Sequence, residues 1–109
     1  MAAAYMLAKT PKGAFRFNLR AGNNQTILTS QVYAAKKSAL NGIDSVSKNG
    51  TEDARFERKV AKDGSHYFVL KARNGQVIGT SEMYKAASSM ENGIASVKKN
   101  AGAPTIDET

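Results

Sequence analysis

The chain has 109 residues, of which 41% are hydrophobic and 23% charged, and its 16 Lys and Arg against nine Asp and Glu give a net charge of +7. This composition is typical of one globular domain and excludes a disordered chain, and no apolar run is long enough to cross a bilayer. The absence of cysteine excludes disulfides and zinc–thiolate sites. Because the N-terminal segment lacks the basic start of a secretory signal, we expect a cytoplasmic protein without a membrane segment.

Three short strands are predicted in the first part of the chain. Residues 5–9 and 26–29 are candidate strands, separated from their neighbours by turns that contain glycine, proline or asparagine. The clearest strand is 15–20, where Phe15 and Phe17 alternate with polar residues. This period of two is typical of a strand with one face buried and one face in solvent.

A helical segment is predicted after the third strand. Ser30 stands where the strand ends, so we expect it to be the N-cap of the helix. Ala39, Ile43 and Val46 follow at the i, i+4, i+7 spacing of a stripe that faces a core. Asn41 and Gly42 interrupt the stripe, and glycine inside a helix costs about 1 kcal/mol relative to alanine. We therefore expect a kink, or a division into two short helices.

The chain repeats this pattern at an offset of 51 residues. Between residues 15 and 50, 18 of 36 positions are identical to their counterparts. The identical pairs include Phe17/Phe68, Leu19/Leu70, Ser30/Ser81, Tyr33/Tyr84, Asn41/Asn92, Gly42/Gly93 and Ile43/Ile94. We predict one domain, residues 1–102, made of repeat one (5–55) and repeat two (56–102), with a flexible tail at 103–109.

Each repeat is too small to bury a core of its own, so the two must cover each other's apolar faces. Repeat arrays of the solenoid type need three or more copies. Two copies instead favour a closed pair about a pseudo-twofold axis, equivalent to a fused homodimer. We predict a monomer of the α+β class with this internal symmetry.

The recurring residues resemble the YegP-like family of small bacterial proteins of unknown function, in its duplicated form. The resemblance covers residues 5–102. Its motifs are Phe15-Arg-Phe-x-Leu-x-Ala-Gly, Gln25-Thr-Ile-Leu-Thr-Ser-x-x-Tyr33 and Gly42-Ile-x-Ser-Val46, with second copies from Phe68, Ile78 and Gly93. It implies two units, each of three strands and two helices, that form one barrel-like antiparallel sheet, with the C-terminal helices packed on it and exchanged between the units. It brings no catalytic residue and no cofactor.

No arrangement of residues in the sequence predicts an active site. The only histidine, His66, stands at the position that Phe15 occupies in repeat one, and we interpret it as a residue at the end of a strand. The nine acidic residues are scattered, without the spacing of a metal loop or a catalytic carboxylate pair. We therefore expect no enzyme, no cofactor and no metal site.

Basic residues carry the remaining functional signal. The candidates for a polyanion-binding surface are Arg16, Arg20, Lys36, Lys37, Lys71, Arg73, Lys98 and Lys99. Under a pseudo-twofold axis they would form two related patches suited to backbone phosphates. A solvated polar face is the alternative explanation for the same residues. We expect an interaction or structural module, with weak, sequence-independent nucleic-acid binding as the second hypothesis; the sequence leaves the partner open.

Overall fold

The computed structural model describes residues 2–109. Seven strands and two helices make up the fold, which confirms the α+β class. The strands are β1 (Ala4–Lys9), β2 (Phe15–Arg20), β3 (Thr26–Thr29), β4 (Phe56–Val60), β5 (His66–Lys71), β6 (Val77–Thr80) and β7 (Thr105–Asp107). The helices are α1 (Lys36–Asn49) and α2 (Ala87–Asn100), each of 14 residues, and a short 3-10 helix (Asp53–Arg55) precedes β4.

The strands form one open sheet in the order β4-β5-β6-β3-β2-β1-β7. All neighbours are antiparallel except β7, which runs parallel to β1. The two halves of the chain meet at β3 and β6, where Thr29 lies opposite Thr80. The prediction of a barrel-like antiparallel sheet is therefore wrong, because the sheet is mixed and its edge strands β4 and β7 lie at opposite ends.

Both helices are continuous, so the predicted division at Asn41–Gly42 is wrong. Gly42 lies inside α1 because the ring of Tyr33 packs against it. A Cβ atom at this position would lie 2.6 Å from Tyr33 Oη and 3.0 Å from Phe17 Cε2. At Gly93 in α2, a Cβ atom would lie 2.9 Å from Cζ of Tyr84. The glycines provide space for a tyrosine ring and do not mark a break.

Ser30 and Ser81 do not cap the helices, which corrects the predicted N-cap. The N-cap position of α1 is Ala35, five residues beyond Ser30. Instead, the Oγ atom of Ser30 accepts a hydrogen bond from the N–H of Phe17 at 3.0 Å, and that of Ser81 does so from Phe68 at 2.9 Å. Both hydroxyls donate to the carbonyl of the next residue. These buried serines therefore replace a backbone acceptor where the strands end.

The core lies between one face of the sheet and the two helices. Its sheet side includes Tyr5, Leu7, Phe17, Leu19, Phe68 and Leu70. Its helix side includes Ala39, Ile43, Val46, Met90, Ile94 and Val97, which confirms the predicted stripe in both helices. Helix α1 contacts β2 of its own half and β5 and β6 of the other, and α2 contacts β5 of its own half and β3 of the other. Each helix therefore joins both halves.

The C-terminal segment is a strand, which corrects the prediction of a flexible tail at 103–109. The N–H of Tyr5 donates to the carbonyl of Pro104 and the N–H of Glu108 to that of Leu7, both at 2.8 Å. An ion pair of 2.5 Å between Lys36 Nζ and Asp107 Oδ2 connects β7 to the start of α1. The tail is thus held by the backbone of β1 and by one charge from a helix.

Candidate interaction surfaces

The sheet has one face open to solvent. Both helices lie on the face that carries Phe17 and Phe68, and successive side chains of a strand point to opposite faces. The opposite surface, which we call the outer face, therefore carries Asn18 and Thr29, together with Thr80.

One row of side chains crosses the whole outer face. The strand registers place seven residues side by side, one from each strand in sheet order: Glu57, Val69, Thr80, Thr29, Asn18, Met6 and Ile106. The middle of the row is polar and uncharged. Val69 is only 6% exposed, although it lies on the face without helices. Its neighbours in the row, Glu57 and Thr80, lie on either side of it.

Two of the predicted cations lie on the outer face without a carboxylate partner among residues 2–109. Arg16 and Arg20 flank Asn18 on β2. The guanidinium of Arg20 lies 3.5 Å from the amide oxygen of Asn24. Arg16 is exposed. On the outer face, these two side chains are the predicted cations that remain available for a partner.

Lys71 lies on the outer face of β5, where it pairs with Glu57. Glu57 also lies 3.7 Å from Lys59. The hydrogen bond from Lys71 holds the pKa of the Glu57 carboxyl below its usual value, and the charge of Lys59 acts in the same direction. The positive charge of Lys71 is therefore largely balanced within the sheet.

The other predicted cations lie away from this face. Lys36 and Lys37 begin α1, and Lys36 is bound to Asp107. Arg73 is in the turn between β5 and β6, where it lines a cavity of about 540 Å³ together with Lys48 and other residues. The structure therefore separates these three residues from the cations of β2.

Lys98 and Lys99 lie at the end of α2. Lys98 Nζ is 2.7 Å from Asp53 Oδ1 and 5.9 Å from the centre of the Phe56 ring. Hydrogen bonds from Lys98 and Arg58 hold the pKa of Asp53 below its usual value. The eight predicted residues consequently form no single patch: three lie on the outer face, four on helices and one in a turn.

An ion network around Arg58 was not predicted from the sequence. This guanidinium binds Glu91 through two nitrogens, at 2.6 and 3.0 Å, and reaches Asp53 at 3.1 Å. Its hydrogen bond holds the pKa of Glu91 below the usual value. A signal was present in the repeat: Leu7 and Leu40 occupy the equivalent positions, so both members of the pair change from leucine to a charged residue together.

His66 makes a structural contact at the end of β5. The backbone N–H of His66 donates to the carbonyl of Tyr84, and the backbone carbonyl of His66 accepts from the N–H of Tyr84, both at 2.7 Å. Among residues 2–109, no three His, Asp or Glu side chains come close enough to hold a metal ion. Within the same range, neither helix has the length and apolar character to span a membrane.

Comparison with known sequences identifies relatives along the whole chain. The sequence model described as Domain of unknown function (DUF1508) matches twice, at residues 12–57 and 61–108. A UPF0339 protein of Bordetella pertussis is 57% identical over 106 residues, which are 96% of each chain. The UPF0339 protein YegP of Escherichia coli K12 is 49% identical over 108 residues, 99% of this chain and 98% of the relative.

Solved structures agree with the fold. The solution NMR structure of the E. coli protein yegP, described as a protein of unknown function, superposes with a TM-score of 0.94 at 49% identity, covering 100% of this chain and 95% of the other. A UPF0339 protein of Shewanella oneidensis, also solved by NMR, gives a TM-score of 0.92 at 44% identity, covering 98% and 92%. These names describe similarity of sequence and fold and assign no activity.

Proposed function

The chain belongs to the YegP/UPF0339 family of small bacterial proteins, as the recurring residues predicted, and from this premise we propose a non-enzymatic module that binds a macromolecular partner on its outer face. The relatives are described as proteins of unknown function, so the proposal depends on the residues of the outer face. We also propose a cytoplasmic monomer, because the duplicated chain already supplies both halves of the sheet.

The observation that supports the outer face most directly is its row of seven registered side chains. A solvated sheet face normally carries polar residues. Here Met6 and Ile106 form an apolar end of the row, and Ile106 is 45% exposed. A surface that combines one apolar end, a polar centre and two arginines without a carboxylate partner among residues 2–109 has the composition of a protein-interaction surface, in which arginine and methionine are enriched.

The pairing of Thr29 with Thr80 supports an internal twofold arrangement. These residues are equivalent in the two repeats and lie directly opposite each other on antiparallel strands. An axis through such a pair relates each half to the other, and we infer that it passes here. A fold duplicated about a twofold axis presents two related surfaces to a partner. Such surfaces can bind a partner without any catalytic residue.

The state of the carboxylates supports a non-enzymatic role. Cations hold the pKa values of Asp53, Glu57, Glu91 and Asp107 below their usual range. A general acid or base works best with a pKa near the working pH. The pKa values of these four carboxyls are instead moved further below neutral pH. They are structural ion-pair partners and poor proton-transfer groups at neutral pH.

A paired charge reversal tests this proposal. We expect the double variant Arg16→Glu/Arg20→Glu to lose the proteins that co-purify with the tagged wild-type chain. The matched control is Lys37→Glu/Lys99→Glu, which makes the same change of charge on exposed helix positions. Retention of partners by the outer-face variant, or their loss only in the helix variant, would contradict the proposal.

Nucleic-acid binding is the second candidate, favoured by the absence of carboxylate partners for Arg16 and Arg20 among residues 2–109. Two arginines on one strand are suited to backbone phosphates and carry no base readout. We expect weak binding of a mixed-sequence single-stranded DNA, measured by fluorescence anisotropy, that falls steeply with added salt. An unchanged anisotropy at low ionic strength would exclude this candidate.

A further inference from the structure

A cleft separates the turn between β2 and β3 from helix α2. It encloses about 280 Å³. Its polar lining consists of Asn23, Gln25, Tyr84, Ser89, Asn92 and Ser96. Ala21, Ile27 and Gly93 provide the remaining small or apolar lining. Because the turn belongs to repeat one and the helix to repeat two, neither repeat forms this cleft alone.

The residues of this cleft differ from the rest of the repeat in one respect. All nine are identical to their counterparts 51 residues away, whereas only 18 of the 36 positions from 15 to 50 are identical. Half of all the identical pairs therefore belong to this one cleft or its equivalent. The core accounts for other identical pairs, such as Phe17/Phe68 and Leu19/Leu70, but most of the polar cleft residues are exposed.

Folding explains part of this identity. Asn23 Oδ1 accepts a hydrogen bond from the N–H of Gln25, which shapes the turn. The carbonyl of Ser96 accepts one from the side chain of Asn100. Gly93 provides space for Tyr84. These contacts give Asn23, Ser96 and Gly93 a structural role in either repeat.

Folding does not explain Ser89 and Asn92. Both side chains are exposed on α2, and serine and asparagine are poorer helix formers than alanine. Nevertheless the same residues occur at Ser38 and Asn41 in α1, although neighbouring exposed positions have changed, as Leu40 has to Glu91. Two exposed residues that disfavour the helix, kept in both copies beside the same turn, indicate a ligand.

The chemistry of the lining defines the ligand. The cleft contains no charged side chain, which disfavours an ion. Amides and hydroxyls each donate and accept hydrogen bonds, as adjacent hydroxyl groups of a sugar do. Burial, together with the charge of Glu82, raises the pKa of Tyr84, so its hydroxyl stays protonated and can donate. A volume of this size lies near the lower limit for ligand sites.

We propose that this cleft binds a neutral, hydroxyl-rich ligand of about the size of one sugar ring. The amides of Gln25 and Asn92 and the hydroxyl of Ser89 hydrogen-bond its hydroxyl groups, and the ring of Tyr84 contacts its carbon face. The site is independent of the outer face, since none of its residues belongs to the row of seven.

The equivalent residues of the other half, Asn74 and Gln76 together with those of α1, differ from this cleft in one contact. There the side chain of Gln31 donates to the carbonyl of Val77 at 3.3 Å. Its counterpart Glu82 is a carboxylate that cannot donate, and it borders a cavity of about 380 Å³ that shares Gln25, Ile27 and Tyr84 with the first cleft. The cleft beside Tyr84 lacks this contact from a side chain of the neighbouring loop, and it is therefore the site to test first.

The test is a titration of the ¹⁵N-labelled chain with glucose, galactose and N-acetylglucosamine, observed by amide NMR. We expect at least one sugar to shift amides of residues 21–27 and 84–96, with a millimolar Kd, as suits so few ligand atoms. Asn92→Ala should weaken binding at least about fivefold, the loss of one or two hydrogen bonds. The matched control Ser88→Ala, on the same helix but outside the lining, should not change the Kd.

Three results would overturn the proposal. The first is the absence of shifts with all three sugars at about 50 mM, far above a millimolar Kd. The second is equal binding by Asn92→Ala and the wild-type chain. The third is a response to N-methylacetamide alone, which would make the ligand a peptide group. The variant Arg16→Glu/Arg20→Glu should still bind the sugar, so failure here and failure of the proposed function remain distinguishable.

Discussion

Equivalent positions of the two repeats carry a buried leucine near one end of the sheet and an arginine in an ion network at the other. On β1, Leu7 is fully buried, and the edge beside it is covered by β7. On β4, the equivalent residue is Arg58, which is bound to Glu91 and Asp53. The side chain of Arg58 is 36% exposed, and no strand lies beyond β4.

The difference shows how each edge avoids association with another chain. An open strand presents unpaired backbone groups, and charged side chains are a common protection. β4 carries Glu57, Arg58 and Lys59 in succession. β1 carries apolar residues at the same places and is protected instead by a strand from the same chain. One repeat can therefore keep leucine where the other requires an ion network.

The largest expected effect separates these two ends directly. Leu7→Ala should lower the free energy of unfolding by about 3 kcal/mol, because it removes a fully buried side chain and leaves a cavity. Arg58→Ala should lower it by at most about 1 kcal/mol, since exposed ion pairs are screened by water. Urea unfolding of both variants gives the comparison. Equal losses would mean that the ion network replaces the apolar contact in full.

A smaller effect tests whether the two halves have equivalent cores. Gly42→Ala and Gly93→Ala should each cost about 2 kcal/mol of unfolding free energy, because the added methyl group meets a tyrosine ring and overpacks the site. Gly102→Ala is the control, as nothing lies within 4 Å of its Cβ position. Thermal unfolding measures all three. A large difference between the two helix variants would show that one tyrosine moves more readily than the other.

Removal of residues 104–109 should cost about 1 to 2 kcal/mol, mainly from the lost backbone hydrogen bonds to β1, each worth about 0.5–1.5 kcal/mol. It also makes β1 an open edge of apolar character. We expect the shortened chain to form dimers or larger species as its concentration rises, which light scattering detects. A shortened chain that stays monomeric would show that β7 is not what protects β1.

Acid should release β7 before it unfolds the rest. The Lys36 ammonium, followed by the hydroxyl and N–H of Thr109, holds the pKa of Asp107 at about 2, below its ordinary value of 3.8. A carboxyl group whose pKa is lower in the folded than in the unfolded chain stabilises the fold at pH values above its unfolded pKa. This stabilisation is lost as the pH falls through the folded-state pKa. The protection of the amides of residues 105–107, measured as exchange relative to the intrinsic rate at each pH, should therefore fall between about pH 4 and pH 2. In Lys36→Met this loss of protection should occur at higher pH; an unchanged profile would contradict the role of the ion pair.

Local patterns were sufficient for most of the fold. The period of two at Phe15 and Phe17 predicted β2 with its observed bounds, and the stripe through Ile43 and Val46 predicted the buried side of α1. The predictions that failed depend on residues distant in sequence. Gly42 is explained by a ring nine positions earlier, and the tail by β1 at the opposite end of the chain.

The candidate surfaces were predictable only in part for the same reason. Charge and alternation place Arg16 and Arg20 correctly on the polar face of β2. The carboxylate partners of other cations are not visible in the sequence, because Asp53 lies 45 residues from Lys98 and Glu91 lies 33 residues from Arg58. Pairing removes cations from a predicted patch, and only the folded chain shows which ones.

The parallel pairing of β7 with β1 has a consequence for the order in which the protein is made. β1 is the first strand to leave the ribosome, whereas β7 follows every other strand and helix described here. During translation the apolar edge of β1 therefore stays uncovered until residues 105–107 have emerged. Nascent chains with open strand edges are prone to aggregate. We therefore expect the edge of β1 to be most prone to association during synthesis, and a chaperone that shields residues 4–9 would act at that stage.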